Sequence, residues 1–197
     1  MGAILQSLGR TVTAGIVLLV IIIIVMGALT GHFIAFDKGW WMFFMRWLHV
    51  LSGVMWIGLL WYFNFVQIPS MPKIPDEQKP AVSKVIAPTA LFWFRWAALA
   101  TVVTGLLVAG LNDYLVAALT FRPPATVIGI GMWLALIMAY NVWFIIWPNQ
   151  KKALGIVQVE KDEKAKAARI AMLTSRINTL LSIAMLYCMV GQSHGGF

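Results

Sequence analysis

Cysteine, acidic residues and charge in general are scarce in this chain. Of its 197 residues only Cys188 is a cysteine, which excludes an intramolecular disulfide and a Cys-x-x-Cys-His attachment site for a c-type haem. Charged residues make up 11% of the sequence, whereas soluble domains run near ~25%. The seven acids are Asp37, Asp76, Glu77, Asp113, Glu160, Asp162 and Glu163, and all of them fall outside the long apolar runs. Proton relays and cation pathways generally place carboxylates at membrane depth. Their absence there argues against a proton pump, a cation-coupled transporter or a cation channel. Internal repeats and low-complexity tracts are missing as well.

What is abundant is apolar surface, at 61% of residues, with ten Trp and eleven Phe suited to aromatic belts at two membrane interfaces. A helix of roughly 20 apolar residues crosses the ~30 Å hydrocarbon core. Five segments qualify: Val12 to Leu29, Trp41 to Val66, Thr89 to Leu111, Ala125 to Trp147 and Ile170 to Val190. The expected fold is therefore all-α, an integral membrane bundle of five transmembrane helices, with residues 1–197 forming a single membrane domain. The first span reads as an uncleaved anchor, because its apolar run is too long for a signal peptide.

Lysine and arginine orient the bundle. With the N-terminus inside, the inner side carries Arg10, Lys73, Lys79, Lys84, Lys151, Lys152, Lys161, Lys164, Lys166 and Arg169, and the outer side only Lys38 and Arg122. The positive-inside rule then predicts N-in and C-out, in a multi-pass protein of a bacterial inner (cytoplasmic) membrane whose first partner is the lipid bilayer. The formal charge of +8 is accounted for by cytoplasmic loops, with no nucleic-acid partner. The five prolines between Ile68 and Pro88 predict an ordered surface loop. Lys151 to Arg169 mixes charges at helical spacing and predicts an extension of the fifth helix. Tyr114 to Leu119 is too short to cross and is expected at an interface.

The polar residues inside the spans are cationic or neutral: Arg46 and His49 on the second, Arg95 on the third, Asn141 on the fourth, Arg176 and Asn178 on the fifth. Arg46, His49, Ser52, Gly53 and Trp56 share one face of a helix whose opposite face is Leu, Val, Met and Phe. Cations without acids to pair point to an anionic guest, such as haem propionates or an anionic small molecule. His49 admits three readings: an imidazole satisfied by a neighbouring carbonyl, an axial ligand to haem iron, or direct substrate chemistry. Arg95, near a helix end, also suits snorkelling to head groups. Pairing His49 with His194 requires the fifth helix to tilt or end early, and Met185 and Met189 are alternative axial candidates, although methionine at helical spacing more often packs a core or faces lipid.

RWLHVLSGVMWIGLLWYFNF, WFRWAALATVVTGL (Trp93 to Leu106), NVWFIIWPNQKK (Asn141 to Lys152) and SRINTLLSIAML (Ser175 to Leu186) followed by Ser193 and His194 together resemble the membrane domain of the cytochrome c-linked urate oxidase, or urate hydroxylase, family. The start of the second span also resembles four-helix haem membrane proteins of the protoporphyrinogen oxidase and copper-resistance D type. The resemblance implies a redox membrane protein with haem b as cofactor, His49 and His194 as functional histidines and metal ligands, and Arg95, Arg176 and Asn178 as supporting polar groups; Arg46, on the His49 face, adds a cation to the candidate cofactor-binding residues. It assigns no catalytic residue. In full-length members a fused cytochrome c takes the electrons. This chain ends at Phe197 without a haem c motif, so the implied acceptor is a separate periplasmic cytochrome c. Ala97 and Ala98 stand where the fused proteins would carry a Glu, and Ala184 where they would carry a Pro. The alternative is a non-catalytic accessory subunit of a larger respiratory or photosynthetic membrane complex.

Overall fold

A computed structural model describes residues 2–196, which are 84% helical with no strand among them. Five helices are long and apolar enough to cross a membrane: α1 (Leu8–Thr30), α2 (Lys38–Lys73), α3 (Lys79–Leu111), α4 (Thr126–Ala153) and α5 (Lys161–His194). The chain divides into two compact units, residues 1–41 and 42–197.

The first unit holds a single helical turn at Gly2–Leu5, then α1, then the beginning of α2. Almost every side chain of α1 is exposed, including its run of leucine, isoleucine and valine. Such a surface is stable in hydrocarbon and costly in water. Gly31, at φ 72°, closes the helix in the left-handed conformation that glycine adopts freely. Gly27 makes room for Phe33: a Cβ there would stand 2.7 Å from the phenyl ring.

The second unit is an antiparallel arrangement of α2 to α5. Its core is apolar and aromatic, built from Trp56, Ile57, Leu60 and Phe63 of α2, Leu91, Phe94, Ala97 and Ala98 of α3, Met138, Val142 and Ile146 of α4, and Met185 of α5. Phe63 meets Phe94 edge-on with ring centroids 5.8 Å apart. A smaller cluster gathers around the Leu115–Leu119 helix, where Ala118 presses its carbonyl against Gly129 so closely that a Cβ has no space.

The helices run further than their apolar stretches. The proline-rich stretch from Ile68 to Pro88, expected as a loop, is mostly helix, with only residues 74–78 outside helical geometry. Most of the prolines lie inside the long helices rather than at their ends: Pro69 and Pro72 follow the π-helical stretch Tyr62–Gln67 of α2 and Pro88 follows Val82–Ile86 of α3, while Pro80 occupies the first turn of α3, where no backbone donor is required. At the other end α5 does extend through the charged segment, beginning at Lys161, while Trp147–Ala153 prolongs α4. The cross-link between them is Lys152 Nζ to Glu163 Oε1 at 2.6 Å. Three stretches take π-helical geometry: Tyr62–Gln67, Val82–Ile86 and Asn141–Ile146. Such wide turns recur at functional sites because they rotate the side chains that follow them.

Candidate functional site

Two polar constellations interrupt the apolar core. The first joins α2 to α3. His49 lies half-buried, and its Nδ1 is 2.9 Å from the Thr101 carbonyl and 3.3 Å from Thr104 Oγ1. A carbonyl only accepts, so Nδ1 carries the proton, and in the neutral ring the lone pair is then on Nε2. Thr104 completes the seat by donating to Ala100 O at 2.6 Å. Gly105 is what lets the ring lie flat on α3, since a Cβ there would stand 2.9 Å from His49 Cε1. Toward the end of the helix, Arg46 Nη2 donates to Asn112 Oδ1 at 3.3 Å. Burial pushes the nearby Tyr114 hydroxyl above the usual phenol range, and the charge of Arg46 opposes that shift. Trp56, further along the His49 face, is fully buried, with an indole N–H that finds no acceptor.

The second constellation begins at mid-bundle. Asn141 Nδ2 donates to Asn178 Oδ1 at 2.8 Å, and Asn178 Nδ2 donates to Met138 O at 3.0 Å. Asn64 Nδ2 donates to Ser175 Oγ at 2.8 Å, and Trp61 Nε1 to Ser182 Oγ at 3.0 Å. These bonds fix α2 and α4 on α5. Arg95 is buried on α3, its guanidinium carbon 3.3 Å from the centre of the Trp147 ring.

The expected site residues are thus distributed rather than gathered. Arg46 and His49 share a face of α2 as their spacing predicts, but Arg95 turns to Trp147. Arg176 and Asn178, expected as a pair, part company: Asn178 is fully buried between α4 and α5, whereas Arg176 is exposed on the apolar surface of α5 with no polar partner among the described residues. His194 is exposed and its Nδ1 bonds to Val190 O of its own helix at 3.0 Å. The Met189 side chain packs toward Gly131 of α4, and Met185 is buried in the apolar core. No group of three or more His, Cys, Asp or Glu side chains is placed to hold a metal ion among the described residues. The residues missed by sequence reading are Thr101, Thr104 and Gly105, whose role depends on how α2 and α3 are registered.

Fold and polar core together define an all-helical, multi-pass membrane-type protein with one histidine held by backbone inside the bundle. Residues 111–196 match the family described as urate oxidase N-terminal. Over that stretch, from the end of α3 through α5, the chain is similar to the urate oxidase N-terminal domain. Asn141, Arg176, Asn178 and His194 lie inside the matched stretch, while Arg46, His49 and Arg95 lie before it. Comparison with curated proteins and with solved structures gives no match.

Proposed function

We propose that this chain is a redox membrane protein of the urate oxidase N-terminal type, binding haem b through His49 and passing electrons to a periplasmic cytochrome c. The observation that carries the reading is the hydrogen bond from His49 Nδ1 to the Thr101 carbonyl. A backbone acceptor on one ring nitrogen fixes the tautomer, orients the ring and leaves Nε2 basic, which is the second-shell arrangement of metal-ligating histidines. The residues therefore fit one axial position of a haem. Arg46, one turn away on the same face and without an acid, supplies a cation for a propionate. The orphaned Trp56 N–H on that face offers a further donor to a guest. Bound haem would supply one-electron transfer. The chain itself would hold the iron through His49 and balance the propionate charge through Arg46.

The decisive measurement is a visible spectrum of protein purified from a bacterial inner membrane, with and without His49→Ala. A b-type spectrum lost in the variant, with membrane insertion retained, supports the reading. Colourless wild-type protein, or an unchanged spectrum in the variant, rejects it.

A second reading rests on Arg176. An arginine exposed on the apolar surface of a spanning helix is costly without a partner. A carboxylate from a neighbouring subunit would relieve that cost, and the chain would then be an accessory subunit of a larger membrane complex. Colourless protein that leaves the membrane in a stoichiometric complex, and dissociates on Arg176→Leu, favours this alternative.

A further inference from the structure

One cluster outside the histidine site is electrostatically incomplete. Trp147 is flanked by two cations: Arg95 with Cζ 3.3 Å from the ring centre, and Lys151 with Nζ at 5.7 Å. Neither has an ion pair among the described residues, and Glu163, the acid on the adjoining start of α5, is taken by Lys152. Arg95 is buried, makes no hydrogen bond among the described residues, and has an Nη1 that reaches neither partner nor solvent. A guanidinium cannot shed its proton to escape burial. The face of an indole offsets part of the cost, but a second cation on the same ring adds to it. Next to Lys151, the Gln150 Oε1 is a buried acceptor that is also unpaired. The missing occupant is therefore an anion, preferably one that also carries a hydrogen-bond donor.

The surroundings indicate where such an anion comes from. Phe92, Trp93 and Trp96 of α3 are exposed, and Trp96 packs edge-on against Trp143 of α4 at 5.6 Å between centroids. Phe92 and Trp93 lie toward the helix end, level with the head group, and Trp96 with Trp143 gives an aromatic surface on the membrane-centre side of Arg95 and Trp147 along which an acyl chain can lie. Basic pockets between membrane helices take anionic head groups by this chemistry, with arginine matching two phosphate oxygens and lysine acting as a point charge.

We propose that Arg95, Trp147 and Lys151 form a binding site for the phosphate of an acidic glycerophospholipid, whose head-group hydroxyl donates to Gln150. The site is independent of haem and of the histidine constellation.

The test is native mass spectrometry of the full chain, transferred to mild detergent from vesicles of equal phosphatidylglycerol and phosphatidylcholine. Wild-type protein is expected to retain phosphatidylglycerol preferentially. R95Q and K151Q should each lower the preference about fivefold, while K152Q, whose lysine is engaged by Glu163, should leave it unchanged. If R95Q does not fold, K151Q at the half-buried helix end carries the test alone. A second arm adds excess inorganic phosphate: a lipid site keeps its phosphatidylglycerol, whereas displacement assigns the pocket to a free anion and overturns the lipid proposal. Equal retention of the two lipids by wild type, or an undiminished preference in K151Q, also overturns it.

Discussion

Asn141 and Asn178 form an amide relay between α4 and α5, with Asn141 donating to Asn178 at 2.8 Å and Asn178 donating in turn to the Met138 carbonyl at 3.0 Å. Asn178 has no exposed surface, so water cannot replace either bond. Removing one partner leaves an amide stranded in an apolar core. Asn178→Leu should destabilise the folded bundle by about 1–2 kcal/mol, within the range for interhelical hydrogen bonds in membranes. Adding Asn141→Leu should cost less than the two single changes summed. Reversible unfolding in mixed micelles measures all three variants, and strict additivity would show that the pair is not coupled.

Gly105 and His49 give a second prediction, about the geometry of the ring. The Cβ introduced by Gly105→Ala would stand 2.9 Å from His49 Cε1 and 3.2 Å from Nδ1, so the ring must lift from α3 and lengthen its bond to Thr101. Overpacking of this kind costs about 1–3 kcal/mol. If His49 ligates haem, the variant should also shift or lose the b-type spectrum while remaining inserted. Gly110→Ala on the same helix meets nothing within 4 Å and serves as the control. A spectrum and stability equal to wild type in Gly105→Ala would show that the ring is not seated on α3.

These relationships differ in how far the sequence discloses them. The five spans are legible because apolar runs of membrane length have few alternatives, and the inward face of α2 is legible because Ser52, Gly53 and Trp56 recur at helical spacing behind His49. The helix ends are less so: the charge spacing of Lys161–Arg169 points to helix, as found, whereas the prolines after Ile68 look like loop by composition and yet lie in helix, after π-helical stretches or in a first turn. The separation of Arg176 from Asn178 could have been foreseen, since residues two apart on a helix do not share a face. The seat of His49 could not. It depends on which turn of α3 lies opposite, a matter of packing between segments some 50 residues apart, and the π-helical turns that adjust such registers carry no marker in the sequence.

Outside the membrane helices, Asp76 accepts a hydrogen bond from Lys79. That bond first, and the charge of Lys79 second, hold the Asp76 carboxyl below its ordinary value. The sign follows directly: a carboxyl depressed in the folded state contributes favourably above its unfolded pKa, and the contribution disappears as pH falls through the folded value. The group is fully exposed, so the readout is the titration itself rather than stability. Lys79→Gln should bring Asp76 back toward the usual carboxylate range in an NMR pH titration. A midpoint that does not move would show that the pair is not formed in solution.

Within residues 42–197, contacts at the helix ends sort the loops into two groups, and their charge predicts the orientation of the bundle. Arg46 near the start of α2 meets Asn112 just beyond α3, and Gln192 near the end of α5 meets both the Pro124 carbonyl and the Ile128 N–H at the start of α4. At the opposite ends, Lys152 of α4 pairs with Glu163 of α5. Lys73, Lys79, Lys84, Lys151, Lys152, Lys161, Lys164, Lys166 and Arg169 belong to that second group, against Arg122 alone among the connections of the first. Lysine and arginine in short loops are retained on the cytoplasmic side. The C-terminus, following Gln192, should therefore face the periplasm. A C-terminal alkaline phosphatase fusion should be active and a C-terminal green fluorescent fusion dark, and the opposite pair of results would reverse the bundle. The same experiment bears on the electron path: His49 lies on the half of α2 nearer the Arg46–Asn112 end, so a C-out result places it closer to a periplasmic acceptor, and a C-in result removes that route.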